Sequence, residues 1–279
     1  MTRANTLRAH FLGQHHADDI LVMPNPFDVG SAKLLETVGA KALATTSSGL
    51  AASKGRLDQT VGRDELLEHV EAIVAAVDVP VSVDAEDCFS TTPKGVKTTV
   101  DMIASTGAAG FSIEDYDQKK GEILDVKAAA KRISAAKEAG GDLVVTARAE
   151  NHLYGVRDFD DTIERLIAYR DAGADVLYAP GFVIDTNILR LVEAVEAPVS
   201  ILALPGTPPV PALAELGVAR VSVVGLFAWA ADGAVVSAAE VLFGPGTLTY
   251  VVHALRGEVG VSAVSWWPPG ASSVGRAAP

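Results

Sequence analysis

The chain has 279 residues, of which 49% are hydrophobic and only 6% aromatic, so it is long enough to bury one large aliphatic core. Its 23 basic and 35 acidic residues give a net charge of −12, which makes nucleic acid and anionic membrane surfaces poor partners. Cys88 is the single cysteine, which excludes an internal disulfide, and the first residues lack the apolar core of a signal peptide. We therefore expect a cytoplasmic protein.

Short β-branched runs alternate along the chain with alanine- and leucine-rich stretches, a pattern typical of a parallel sheet covered by helices. We predict eight strands, at residues 20–23, 42–46, 79–83, 110–113, 143–147, 175–178, 199–202 and 220–224. Among the helices between them are segments 63–77, 126–139, 160–172 and 186–195. This repeat predicts a single-domain (β/α)8 barrel of the TIM type. A doubly wound open sheet is the alternative, but no glycine-rich fingerprint follows the first strand.

The C-terminal part of the chain differs from this repeat. Residues 226–243 are the longest apolar stretch, but Asp232, Gly233 and Glu240 interrupt it, so we predict a helix that packs on the barrel rather than a membrane span. From residue 244 the composition changes. We therefore place the catalytic barrel at residues 1–245 and a C-terminal helix and tail at residues 246–279, with the last residues disordered.

Charged side chains follow several of the predicted strands, where barrel enzymes carry their active sites. Asp84 and Glu86 come after the run VPVSV, Glu114 comes after GFSI, and Arg148 ends LVVTA. Strand alternation is expected to point Asp84 and Glu86 to the same face. If these strands are neighbours in a closed barrel, their side chains meet on one rim. They would then form an oxygen cage for a divalent cation beside an arginine that binds an anion.

This combination of groups suits the stabilisation of an enolate. Mg²⁺ prefers oxygen ligands and keeps several waters, so a few carboxylates and a chelating 2-oxo acid are enough to hold it, and Mn²⁺ suits similar ligands. Arg148 offers a planar pair of donors to a substrate carboxylate. The alternative is that Glu114 and Arg148 merely pair with each other. Tyr178 ends the sixth strand and could protonate or orient the enolate, or simply pack in the core.

Six segments between residues 23 and 225 resemble, in the same order, the isocitrate lyase and phosphoenolpyruvate mutase superfamily. They are PNPFDVGSAKLLETVGAKALATTSSGLAAS, VPVSVDAED, GFSIED, ARAEN, GADVLYAPGF and LALPGTPPVPALAELGVARVSVVG. The resemblance implies that the 2-oxo-carboxylate of the substrate is held by Ser48, Gly49 and Leu50. It implies a Mg²⁺ site formed, directly or through waters, by Asp84, Glu86 and Glu114. It also implies that Asp58 lies in a mobile loop after the second strand and that Arg148 pairs with a carboxylate or phosphonate.

Two segments depart from the superfamily pattern. After the strand that ends at Glu114, the lyases carry a Lys-Lys/Arg-Cys-Gly-His motif whose cysteine acts as acid or base, whereas this chain reads YDQKKGEILD. A true isocitrate lyase is therefore not expected, and residues 116–122 are predicted to form a short loop with solvated lysines. In DAEDCFS, Cys88 stands where relatives usually carry glycine, and an inert buried thiol is the expected role.

Three functions fit these observations. The first is a Mg²⁺-dependent carbon–carbon lyase or decarboxylase acting on a small 2-oxo or 2-hydroxy dicarboxylic acid, such as oxaloacetate or a substituted malate, through an enolpyruvate intermediate. The second is phosphonopyruvate chemistry, mutase or hydrolase. The third is a barrel that binds a 2-oxo acid without turnover. By analogy with the superfamily we expect a homo-oligomer, a dimer or tetramer, with Trp266 and Trp267 at the subunit interface.

Overall fold

The computed structural model describes residues 2–263 and shows a barrel of parallel strands surrounded by helices. Within these residues the strands are β1 (Leu21–Met23), β2 (Leu43–Ala44), β3 (Val81–Asp84), β4 (Gly110–Glu114), β5 (Tyr116–Asp117), β6 (Glu122–Ile123), β7 (Val144–Arg148), β8 (Val176–Tyr178), β9 (Val199–Leu202) and β10 (Arg220–Ser222). The helices are α1 (Arg3–Gln14), α2 (Val29–Thr37), α3 (Ser47–Ser53), α4 (Arg63–Ala76), α5 (Pro93–Ser105), α6 (Val126–Gly140), α7 (Phe159–Asp171), α8 (Asp185–Val195), α9 (Val210–Glu215), α10 (Leu226–Phe243) and α11 (Val251–Ala263).

Eight strands pair in the order β1-β10-β9-β8-β7-β4-β3-β2, and each pair is parallel. The two ends of this order meet through a backbone bond from Ala44 N to Pro24 O of 3.1 Å. Asn25 supports the closure, because its Nδ2 donates to Thr45 O at 3.1 Å and its Oδ1 accepts from Val223 N at 2.8 Å. The barrel is therefore nearly closed, and the predicted (β/α)8 fold is confirmed, with all eight predicted strands in place.

The two faces of each strand have different chemistry. Toward the helices the strands present aliphatic and aromatic side chains that belong to the main hydrophobic cluster, such as Val83, Phe111, Val145, Leu177 and Ile201. Toward the barrel interior the alternate positions are mostly polar: Ser82, Asp84, Ser112, Glu114, Thr146, Arg148, Tyr178, Ser200, Arg220 and Ser222. Because side chains alternate along a strand, the aliphatic face packs against the helices, while the polar face lines the barrel interior from its bottom to its C-terminal rim.

Helix α1, which the sequence pattern did not predict, covers the bottom of the barrel. Its Phe11 is fully buried in a cluster with Leu21, Val144 and Val176. One turn later, the Nδ1 of His15 lies 2.8 Å from Phe11 O and its Nε2 lies 3.3 Å from Arg220 Nη1. The helix is thereby connected to a charged residue in the barrel interior.

Helix α10 forms as predicted, but the prediction that it packs on the barrel is wrong for most of its length. Only Ala228 is buried, at the first turn, while Val235, Val236 and Phe243 are exposed by 69%, 55% and 84%. By length and composition alone α10 is long and apolar enough to cross a membrane. Trp266, Trp267 and the predicted disordered tail lie outside the described residues, and the domain boundary at residue 245 stays a prediction.

The segment after β4 also differs from its prediction. Instead of a simple loop, residues 116–123 form an antiparallel hairpin in which Tyr116 pairs with Ile123 and Asp117 pairs with Glu122. At its tip, Lys120 Nζ lies 3.3 Å from Glu122 Oε1. The lysine side chains are exposed, as predicted. Strands of two residues are too short to show the alternation by which strands are recognised in a sequence.

Candidate active site

Three of the predicted site residues meet at the C-terminal rim. Asp84 ends β3, Glu114 ends β4 and Arg148 ends β7, and these strands are neighbours in which Glu114 is paired directly with Arg148. Arg148 Nη1 donates to Asp84 Oδ1 at 3.1 Å and to Glu114 Oε1 at 3.0 Å. All three side chains are buried. Two carboxylates that are 30 residues apart in the chain therefore share one guanidinium nitrogen.

Asp84 is fixed by a second set of donors. Its Oδ2 accepts from Ser47 N at 3.0 Å and from Ser47 Oγ at 3.1 Å, and its backbone N donates to Thr45 Oγ1 at 2.9 Å. Ser112 Oγ lies 3.4 Å from Oδ1. Since Ser47 starts α3 directly after β2, the carboxylate of Asp84 joins the ends of neighbouring strands.

The predicted substrate-binding residues Ser48, Gly49 and Leu50 form the first turn of α3, next to this contact. Gly49 N donates to Thr46 Oγ1 at 3.2 Å, and a Cβ at position 49 would lie 2.5 Å from Thr46 Cγ2. Only glycine fits this approach. The sequence analysis placed these residues after a strand but did not predict the helix, because α3 follows β2 with only two residues between them.

Glu86 lies at the site, but strand alternation, which the sequence analysis used to place it, does not explain its position. Strand β3 ends at Asp84, and Glu86 has a left-handed backbone with φ of +50°, so strand alternation does not position it. Its Oε2 accepts from Gln118 Nε2 of the hairpin at 2.9 Å. Burial raises the pKa of Glu86 to about 7, and the negative charges of Asp84 and Asp58 contribute in the same direction. Its proximity to these two carboxylates therefore comes from a loop conformation.

Glu150 is a further acidic residue of the site, to which the sequence analysis gave no role. Its Oε1 accepts from Arg148 Nε at 2.7 Å, and its side chain is fully buried. Its backbone N donates to Asp115 Oδ1 at 2.8 Å. Asp115 itself points away from the rim and accepts from Tyr169 Oη and from Arg165 Nη1. The sequence feature that could have indicated a role for Glu150 is its position two residues after Arg148, which ends the buried strand β7.

The rim carries more negative than positive charge. Asp84, Glu114 and Glu150 contact the guanidinium of Arg148, and Glu86 lies near Asp84 and Glu114. Burial raises the pKa of Glu114 well above its usual value, even though Arg148 opposes this shift. A buried group of like charges requires a compensating cation or bound protons. The donor set is made of hard oxygens, so it fits Mg²⁺ or Mn²⁺ by its chemistry.

Within the described chain, no three acidic, histidine or cysteine side chains form a ready-made metal cluster. Mg²⁺ does not require one, because it usually keeps several waters and binds through one or two carboxylates together with its substrate. Direct binding by one carboxylate, with the others acting through waters, agrees with this arrangement.

A cover of three loops lies over the mouth of the barrel. Asp58 is in the exposed segment after α3, where partial desolvation and the charge of Asp84 raise its pKa. The next residue, Gln59, donates from Nε2 to Tyr154 Oη at 2.9 Å. Tyr154, which follows β7, stacks on Tyr116 of the hairpin with ring centroids 3.7 Å apart. The loop that carries Asp58 is therefore attached across the mouth.

Tyr178 faces the barrel interior beside Arg148, its partner on the neighbouring strand. Its Oη lies 3.2 Å from Ser222 Oγ, and its ring centroid is 5.1 Å from Arg148 Cζ and 5.9 Å from Arg220 Cζ. Burial raises the pKa of the phenol. These residues line a cavity of about 20 Å³ that also contains Asp84. The phenol is thus a packed side chain that also borders the site, and its role toward the enolate stays a prediction.

Fold and rim together define a (β/α)8-barrel enzyme of the lyase and mutase type. The family model for phosphoenolpyruvate phosphomutase matches residues 11–243, so the chain belongs to that family, within the isocitrate lyase and phosphoenolpyruvate mutase superfamily. Enzymes of this superfamily are Mg²⁺-dependent lyases and mutases. The resemblance stated from the sequence motifs is confirmed, and the chain is classed with enzymes rather than with non-catalytic binding proteins.

Individual relatives agree with this assignment. A protein of Burkholderia cenocepacia J2315 assigned to the lyase/mutase group has 42% sequence identity and a TM-score of 0.89, over 93% of this chain and 96% of its own. A 2-methylisocitrate lyase of Bacillus subtilis is 27% identical over 65% of this chain, which spans 62% of that protein. A phosphonopyruvate hydrolase solved in complex with oxalate and Mg²⁺ has 23% identity and a TM-score of 0.80, over 94% of this chain and 95% of its own, and shares the fold.

Proposed function

We propose that the protein is a Mg²⁺-dependent carbon–carbon lyase or decarboxylase that acts on a small 2-oxo or 2-hydroxy dicarboxylic acid, similar to oxaloacetate, through an enolpyruvate intermediate. The observation that carries this proposal is the meeting of Asp84, Glu114 and Arg148 on one rim with a surplus of buried carboxylates. The relative named 2-methylisocitrate lyase supports a lyase reaction.

In this proposal Asp84, Glu86 and Glu114 hold Mg²⁺, directly or through waters. When bound, the cation supplies positive charge where negative charge develops on the 2-oxo group. Arg148 binds a substrate carboxylate with its paired donors and orients the bond that breaks.

The other residues bind substrate and move protons. The backbone and hydroxyl groups of Ser48, Gly49 and Leu50 bind the 2-oxo-carboxylate at the first turn of α3. Tyr178 holds a proton at its phenol oxygen, because burial keeps that oxygen protonated at neutral pH, and can give it to the enolate carbon or orient the enolate. Asp58, from the loop attached by Gln59 and Tyr154, closes over the substrate and excludes water.

Two variants test the metal part of the proposal. Glu114→Gln and Asp84→Asn should bind Mg²⁺ at least tenfold more weakly in calorimetry and should lose turnover on a panel of 2-oxo dicarboxylic acids, while circular dichroism shows the fold retained. Glu122→Gln, at an exposed carboxylate of the hairpin, is the matched control and should behave as the natural chain. Unchanged Mg²⁺ dependence in both site variants, or full turnover after chelation with EDTA, contradicts the proposal.

A second candidate function is phosphonopyruvate chemistry, in which Arg148 meets a phosphonate instead of a carboxylate. It is favoured by the family model, which describes a phosphoenolpyruvate phosphomutase, and by the fold shared with a phosphonopyruvate hydrolase. Phosphorus NMR with phosphonopyruvate separates the two candidates. Conversion to phosphoenolpyruvate or release of inorganic phosphate, without carbon–carbon cleavage of any dicarboxylate in the panel, favours the second.

We also propose a cytoplasmic homo-oligomer, a dimer or tetramer, in which the apolar surface of α10 is covered by a second copy of the chain. Val235, Val236 and Phe243 give this helix an exposed apolar surface of the kind that marks protein interfaces. Light scattering after size exclusion should give a multiple of 28.9 kDa, and Val235→Glu should shift it to the monomer mass. A monomer that partitions into lipid vesicles through α10 contradicts this proposal.

A further inference from the structure

Arg148 occupies the position between two of the carboxylates that are assigned to the metal. Its Nη1 contacts Asp84 Oδ1 at 3.1 Å and Glu114 Oε1 at 3.0 Å. The cavity that Asp84 and Arg148 border, about 20 Å³, is about large enough for one water. A cation that binds these same two oxygens directly competes with the guanidinium for them, because both oxygens are bonded to the same nitrogen.

The opposite edge of the guanidinium is held independently. Nε donates to Glu150 Oε1 at 2.7 Å, and Glu150 is fixed through its backbone N by Asp115. Asp84 is likewise kept in place by Ser47 through its other oxygen, Oδ2. The Nη1 contacts can therefore break while Arg148 stays attached at Nε and Asp84 stays attached at Oδ2.

We propose that Arg148 competes with Mg²⁺ for Asp84 and Glu114, and that metal binding releases the Nη1 edge of the guanidinium to receive the carboxylate of the substrate. This inference rests on the proposed Mg²⁺ site. It makes Arg148 a competitor of the metal before substrate arrives and a partner of the substrate afterwards. Metal therefore binds first and substrate second, since the guanidinium is engaged with carboxylates until the metal has displaced it.

The test is calorimetric titration of the protein with Mg²⁺ alone, so that its readout does not depend on turnover. Arg148→Met removes the competing group and should bind Mg²⁺ at least tenfold more tightly than the natural chain. Arg148→Lys keeps a charge but lacks the second nitrogen, and it should show an intermediate increase. Thermal unfolding of each variant reports whether it is folded. If the methionine variant does not fold, the lysine variant alone provides the test.

Arg220→Met is the control for removing a buried positive charge. Arg220 is buried about as deeply as Arg148, but its donors meet uncharged partners: Ser200, Thr146 and His15. Its loss should change the Mg²⁺ affinity less than threefold. An equal increase in the Arg148 and Arg220 variants means a general field effect and overturns the inference, as does an unchanged affinity in both Arg148 variants.

The outcome for the natural chain separates this inference from the proposed function. If the natural chain binds Mg²⁺ and the Arg148 variants bind it equally well, the competition is refuted while the metal site stands. If neither the natural chain nor any Arg148 variant binds Mg²⁺, the metal site itself is refuted. If only the Arg148 variants bind it, the competition and the metal site are supported, but the order in which metal binds before substrate is refuted.

Discussion

His15 provides a stability prediction whose size can be worked out from its surroundings. The imidazole is buried between Phe11 and Arg220, and burial together with the charge of Arg220 lowers its pKa from 6.5 to about 3. The ring is therefore neutral in the folded protein above pH 3, where Nδ1 donates to Phe11 O and Nε2 accepts from Arg220 Nη1. In the unfolded chain the same ring takes up a proton below pH 6.5.

The sign follows from which state binds the proton. Between pH 6.5 and pH 3 the unfolded chain binds more protons at His15 than the folded protein does, so the stability contributed by the neutral ring is complete above pH 6.5 and falls as the pH falls. The slope approaches 1.36 kcal/mol per pH unit once the unfolded ring is fully protonated, so His15 accounts for a loss of about 2 kcal/mol between pH 7.5 and pH 5.

The assay compares the free energy of unfolding in urea at pH 7.5, 6.5 and 5.0 for the natural chain and for His15→Gln. The glutamine side chain has an oxygen that can accept from Arg220 and does not titrate. The natural chain should lose about 2 kcal/mol relative to the variant between pH 7.5 and pH 5. The comparison is needed because Glu86, with its raised pKa, contributes in the opposite direction between pH 4.5 and about 7.

His16→Gln is the control, since His16 is the neighbouring histidine and its side chain is exposed. The difference in unfolding free energy between the natural chain and this variant should stay constant across the three pH values. A constant difference for His15→Gln as well would refute the reasoning, because it would mean that the His15 ring can be protonated without leaving its place against Arg220.

The other predictions concern the site and its support. The Cys88 thiol is fully buried and burial raises its pKa to about 12, so iodoacetamide at pH 8 should label the chain only after denaturation in urea; labelling of the native protein contradicts this burial. Tyr169→Phe removes a hydroxyl that donates to the buried carboxylate of Asp115 and should lower the free energy of unfolding by about 1.5–3 kcal/mol. A decrease of less than about 0.5 kcal/mol would show that water replaces the hydroxyl. Tyr154→Ala removes the aromatic stack over the mouth and should speed tryptic cleavage after Arg56. Tyr154→Phe keeps the stack and should be cut more slowly than the alanine variant. Equal cleavage rates in the two variants contradict the role of the stack.

The barrel could be predicted because its strands carry a strong local signal. Buried parallel strands read as short aliphatic runs bounded by glycine and polar residues, and all eight appear where the pattern places them. The same logic brought Asp84, Glu114 and Arg148 together, since each ends a strand and β3, β4 and β7 are neighbours. Residues at strand ends inherit their position from the fold, so their proximity follows once the strand order is known.

Residues beyond the strand ends were predicted less well. The orientation of Glu86 was predicted from strand alternation, but its backbone has a left-handed φ. The sequence DAEDCFS does not predict this conformation. The helix α3 and the hairpin β5–β6 are short, and each depends on contacts with other parts of the chain. Helix α10 has the composition of a core helix, yet its apolar residues are exposed, because composition shows how apolar a helix is and not what covers it.

The polar interior of the barrel contains hydrogen bonds that could not be predicted from the strand ends alone. Thr146 and Arg148 lie two residues apart on β7, as Arg220 and Ser222 do on β10, so both members of each pair point inward. In each pair the first residue is the lower one, farther from the rim, and the second is the upper one. The lower residues bind each other, since Arg220 Nη1 donates to Thr146 Oγ1, and the upper residue Ser222 contacts the phenol of Tyr178. The upper groups therefore lie above a layer of hydrogen bonds between side chains of different strands. A sequence reveals that layer only after the register between strands is known, because a shift of one residue would turn every one of these side chains toward the helices.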